Sequence, residues 1–146
     1  MPHAGADLEI DFLILADAAQ VADGKLYLMG GGWDRIAVNG LPVIQAAGIA
    51  VGVLVPWSET NTPRTLTLAI EDEDGGEVLP QVGVRVEVGR PPGLAGGADQ
   101  RVMVAFNAQL ALQRLGDYVI SAALDAGSQK RLRFSVAPGP QFRPEG

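Results

Sequence analysis

The densest group of ionisable side chains in the sequence is Glu71, Asp72, Glu73, Asp74 and Glu77, gathered around Gly75 and Gly76. Carboxylates at this spacing could ligate a divalent cation such as calcium, with Asp117 a further ligand if the fold brings it alongside. An EF-hand loop does not fit. With Gly75 in the turn position, Ile70 falls at the first ligand and Gln81 at the last, and neither is a carboxylate. Asp-Gly is also what a solvated hairpin tip requires, so a plain turn accounts for the same residues. Gly30-Gly31-Gly32 has the small residues of a phosphate loop. It lacks the lysine with adjacent Ser or Thr, and no G-x-G-x-x-G opens a helix, so it reads as a glycine bulge interrupting a long strand.

Both tryptophans stand beside charge. Trp33-Asp34-Arg35 follows the glycines, and Trp33 is expected to cap the end of an aliphatic core with its indole N–H bonded locally. Trp57 lies in Pro56-Trp57-Ser58-Glu59-Thr60-Asn61-Thr62-Pro63-Arg64, a loop by composition. Loops on a rigid scaffold concentrate binding residues, although a tryptophan there can equally fold back onto the rim. His3 is the only histidine and there is no cysteine. A Ser-His-Asp triad, a thiolate nucleophile, and histidine- or cysteine-ligated metal are therefore excluded, and no cofactor is expected. A carboxylate pair is the acid–base chemistry left, and it needs a cleft that separates two pKa values.

The remaining composition narrows the partners. A formal charge of −6 repels polyphosphate, and the cluster Lys130, Arg131 and Arg133 is too small for a nucleic-acid footprint. No apolar run approaches the roughly 20 residues of a membrane-spanning helix, and no basic leader precedes Phe12 to Ala16. A cytoplasmic chain without nucleic-acid or membrane partners is expected. Its 146 residues suit one domain over 1–146, with 138–146 a flexible tail of low apolar content.

Strands must position these groups. Leu66, Leu68 and Ile70 alternate with Thr65, Thr67 and Ala69, as do Leu132, Phe134 and Val136 with Arg131, Arg133 and Ser135. Val102 to Leu112, Tyr118 to Leu124 and Ile49 to Val55 repeat the period of two. Strands are expected over 8–19, 25–38 with an interruption, 43–55, 65–71, 77–88, 101–113, 118–125 and 129–136, successive ones antiparallel. Turns fall at Asp23-Gly24, Asp74-Gly75-Gly76 and 125–128. About eight such strands imply a two-layer antiparallel β-sandwich, immunoglobulin-like or jelly-roll-like, with a barrel the alternative. The expected core stripe is Leu66, Leu68, Ile70, Val104, Phe106, Ile120, Leu132 and Phe134. Leu115-Gly116-Asp117-Tyr118 resembles the tyrosine corner of immunoglobulin-type sandwiches, with Ile120 where an antibody domain has cysteine.

Leu15-Ala16-Asp17-Ala18-Ala19 followed by Asp23-Gly24-Lys25-Leu26-Tyr27-Leu28-Met29-Gly30-Gly31-Gly32-Trp33-Asp34 resembles the opening of a family of uncharacterised bacterial proteins, a domain of unknown function. Pro56-Trp57-Ser58-Glu59, Glu71 to Gly75 and Gly116-Asp117-Tyr118 are similar in kind and order. The resemblance implies a β-sandwich and a bacterial source, and it transfers no reaction.

The function expected from the residues is a non-enzymatic protein-binding or self-assembly module, recognising a protein partner or its own copies. The alternatives are a cation-dependent ligand-binding domain using the hairpin 71–77 with Asp72, Asp74 and Asp117 at one end, and a carboxylate-based hydrolase. If strands alternate in direction, loops 56–64 and 89–100 emerge together, with Asp23-Gly24 and Gly127-Ser128 at the same end. Trp57, Glu59, Asn61, Arg64 and Arg90 would then form one binding rim, an aromatic anchor ringed by both charge signs.

Overall fold

The computed structural model describes residues 7–125 and 127–143. Nine strands follow one another: β1 Glu9–Ala22, β2 Lys25–Gly31, β3 Arg35–Gly40, β4 Val43–Val55, β5 Arg64–Asp72, β6 Glu77–Val86, β7 Gln100–Leu112, β8 Gly116–Leu124 and β9 Gln129–Arg143. They form a four-stranded sheet ordered β2-β1-β4-β7 and a five-stranded sheet ordered β3-β9-β8-β5-β6. The two sheets pack as a β-sandwich. Alternation explains the layering: Ile49, Val51, Val53 and Val55 of β4 turn inward and are buried, as are Leu66, Leu68 and Ile70 of β5 and Ile120, Ala122 and Leu124 of β8.

The glycine run does something other than interrupt one strand. β2 ends at Gly31 in one sheet and β3 begins at Arg35 in the other, so 25–38 holds two strands and Gly32 to Asp34 is the crossover between layers. Gly30 and Gly32 have φ of +59° and +89°, a left-handed backbone that a side chain would strain, and the Gly32 N–H bonds Leu15 O at 2.7 Å. Having changed sheet, β3 pairs parallel with β9, the exception to the expected antiparallel rule. That pairing also corrects the tail. Pro138 opposes Val38 and Arg143 opposes Gly40, so residues 138–143 extend β9, held by ladder bonds that need no apolar side chains. Residues 144–146 of the expected tail, and His3, lie outside the described residues.

The core differs from the expected stripe in one respect. Leu66, Leu68, Ile70, Ile120 and Phe134 are buried, whereas Val104, Phe106 and Leu132 are only half-buried. Val104 and Phe106 face inward opposite Val51 and Ile49, but among the described residues β7 is the last strand of its sheet, and only its far end, Leu110 and Leu112, is fully covered. On the outer face of the same sheet, Asn107 clamps β1. Its Oδ1 accepts the Ala19 N–H at 2.9 Å and its Nδ2 donates to Ala19 O at 2.8 Å. The clamp passes over Gly48, where a Cβ would lie 2.7 Å from the Ala18 backbone. Among the described residues no helix is long and apolar enough to cross a membrane.

Candidate functional site

β4 releases the chain at Pro56 into a single 3-10 turn, Trp57–Glu59. Thr60 ends that turn: its N–H and its hydroxyl both donate to Trp57 O, at 3.3 and 2.8 Å. Asn61 then takes a left-handed φ of +61° and donates its N–H to Val88 O at 2.7 Å, joining this loop to the one that follows β6. Arg90 completes the joint. Its Nε donates to Thr60 Oγ1 at 2.7 Å, its Nη2 to Trp57 O at 3.0 Å, and its guanidinium carbon stands 3.7 Å from the Trp57 ring centre. Arg64, opening β5, donates from Nε at 3.0 Å and from Nη2 at 2.6 Å to Glu59 Oε1, and this bond raises the Arg64 pKa against the opposing effect of desolvation.

Trp57, Glu59, Asn61, Arg64 and Arg90 thus meet at one end of the sandwich. Trp57 is half-buried with one ring face covered by Arg90, so the anchor is partly occupied by the protein itself. Gly127-Ser128 lies at this end as expected: Leu124 opposes Leu66 near the start of β5, and the Ile10 N–H bonds Ser128 Oγ at 3.1 Å. Asp23-Gly24 does not. β1 runs antiparallel to β4 with Glu9 opposite Leu54, so its far end, and the turn it leads into, emerge with Val43 at the other end.

Asp72, Asp74 and Asp117 do share that other end, and protein groups engage each of them. Asp72 Oδ1 accepts the N–H groups of Asp74 at 2.9 Å and Gly76 at 2.7 Å, closing the hairpin tip. Arg114 reaches Asp74 at 2.5 Å and Asp72 at 3.7 Å, and Asp74 raises its pKa first by hydrogen bonding and then by charge. Glu73 Oε1 accepts the Asp117 N–H at 2.8 Å, and Asp117 Oδ1 accepts the Ser135 hydroxyl at 2.7 Å with Arg133 3.7 Å away. Among the described residues no group of three or more His, Cys, Asp or Glu is arranged to hold a metal ion. An open groove of about 400 Å³ beside this hairpin is lined by Glu71, Glu73, Asp117, Arg131 and Arg133, so its carboxylates face cations as well as each other.

Beneath the acidic hairpin lies an aromatic column. Tyr118 stacks on Phe134 at 5.1 Å, and Trp33 meets Phe134 edge-on at 6.0 Å. The Tyr118 hydroxyl donates to Arg114 O at 2.6 Å, four residues upstream, which is the geometry of a tyrosine corner. Burial raises the Tyr118 pKa. Trp33 departs from expectation. Its indole nitrogen is shielded and has no acceptor among the described residues. The residues that sequence reasoning passed over are Thr60, Asn107 and Arg114. Asn107 and Arg114 act on backbone or charge that the fold alone brings near, whereas Thr60, three residues after Trp57, carried the ordinary signature of a turn-closing hydroxyl.

Residues 11–137 match the model of a family of unknown function, DUF6941. No curated protein matches the chain.

Proposed function

The chain belongs to a family of unknown function, and from the geometry of its Trp57 end we propose that it is a non-enzymatic protein-binding module. The observation carrying this reading is the Arg90 joint. One guanidinium fastens loops 33 residues apart into a single platform, which holds its shape before any partner arrives. The platform presents a half-buried aromatic ring, an Arg64–Glu59 pair and the exposed Ser58 and Asn61, a composition suited to protein contact. The order β1-β4-β7 facing β9-β8-β5-β6, together with the Tyr118 corner, supports an immunoglobulin-like reading of the scaffold. Bacterial origin and a cytoplasmic location complete the proposal, the first from the sequence resemblance and the second from the absence of cysteine.

The test is a photo-crosslinking residue placed at Ser58 in cells, with a second placed at Arg131 on the opposite wet face. Discrete protein adducts at position 58, lost when Arg90→Ala loosens the platform, support the rim. Equal adducts at both positions, or none at 58, overturn it.

A further inference from the structure

We propose that β7 is a self-pairing edge, and that two copies of this chain join antiparallel along it to make one continuous eight-stranded sheet. Among the described residues the sandwich has four edge strands, β2, β7, β3 and β6, and they differ in how they discourage pairing. β6 carries Pro80, two register irregularities against β5 and the exposed charges Glu77 and Arg85. β3 is six residues long, begins with Arg35 and has a register shift. β2 is seven residues long and ends in glycines. β7 has none of these devices. It runs thirteen residues in unbroken register with β4, without proline or glycine, and its one charge, Arg101, is neutralised by Asp11 at 2.6 Å.

A second observation on the same side shows what the edge fits. Inward-facing Val102, Val104 and Phe106 of β7 and Leu79 and Val84 of β6 are all half-buried, although each opposes a fully buried neighbour in its own sheet. The core is therefore only partly closed along the seam between the two edges: β6 and β7 approach each other and Val86, Leu110 and Leu112 are fully covered, whereas the side chains between are not. A strand filling the seam needs an extended stretch of about nine residues or more, apolar on one face and small or polar on the other, with no proline. β7 itself meets that description, with Val102, Val104, Phe106 and Ala108 on one face and Met103, Ala105, Asn107 and Gln109 on the other. An edge complementary to itself gives an isologous two-fold contact, in which each β7 closes the other's seam. This surface runs along the side of the sandwich, so it does not depend on the Trp57 platform.

The chain has no cysteine, which makes the experiment direct. Sedimentation equilibrium across the micromolar range is expected to show a monomer–dimer equilibrium. Single variants Met103→Cys, Ala105→Cys and Gln109→Cys, oxidised at the dimer concentration, are expected to yield a covalent dimer from at least one position, which fixes the register. Ile44→Cys, exposed on β4, is the control and is expected to yield none. Ala105→Lys is expected to weaken the dimer at least tenfold while leaving the circular dichroism spectrum unchanged, and Arg90→Ala to leave the dimer intact. A chain that stays monomeric overturns the proposal, whether or not an extended peptide of another protein then occupies the edge. So does a dimer that crosslinks through Ile44 and not through β7, or one indifferent to Ala105→Lys.

Discussion

The two ends of the sandwich hold arginine in different ways. At the Trp57 end, Arg90 lies over an aromatic ring and bonds neutral oxygens, so the contact is dispersion and directed hydrogen bonding as much as charge. At the acidic end, Arg114 lies between carboxylates on an exposed hairpin, and the packing happens one layer below, where Tyr118 and Phe134 are buried. Charge density is thus a poor guide to where stability resides: exposed ion pairs contribute little, and the buried aromatic column contributes more than they do.

The comparison breaks most sharply at Phe134. Phe134→Ala removes the centre of the column and is expected to cost about 3–5 kcal/mol. Phe106→Ala, at the half-open seam, is expected to cost clearly less. Equal denaturation midpoints for the two variants would contradict this view of the core. Next comes Tyr118→Phe, which leaves the Arg114 carbonyl without its donor and should destabilise by about 1–3 kcal/mol in urea unfolding. The same residue sets a pH dependence. Its folded pKa is raised above the ordinary value of 10.0, so its contribution is fully present below that value and is lost as pH rises towards the folded pKa. Stability of the wild type is therefore expected to fall in alkaline solution, and Tyr118→Phe to flatten that fall. A profile unchanged by the substitution would place the titration elsewhere.

At the other end the effects shrink. Arg90→Ala should cost about 0.5–1 kcal/mol of global stability, while hydrogen exchange at Asn61 and Val88 accelerates as the loops separate. Unaltered exchange there would mean the loops hold together without Arg90. The smallest effect is expected at the acidic hairpin, where millimolar calcium should leave the melting temperature unchanged, because Asp72, Asp74 and Asp117 already have protein partners. A rise of several degrees would make the hairpin a cation site.

What the sequence by itself determined were the features that a few neighbouring residues decide. Period-two alternation marked the strands, Asp-Gly marked the hairpin tips, and the corner at Tyr118 was legible because its acceptor is only four residues away. The Trp57 and Arg90 loops were placed together because strand direction follows from counting turns. The tertiary structure decided everything that depended on which strand edge was free. The glycine run became a crossover, because β3 found an open edge on β9. Residues 138–143 became strand for the same reason, and Asp23-Gly24 went to the far end because the first half of β1 pairs antiparallel with β4 and the strand runs on in that direction to Ala22. The half-exposure of Val104 and Phe106, beside the fully buried Leu110 and Leu112 of the same edge strand, is likewise decided by what the fold brings against each part of β7. Their alternation is the same as that of buried strands, since a side chain's periodicity records which face it takes and not whether a neighbour arrives to cover it.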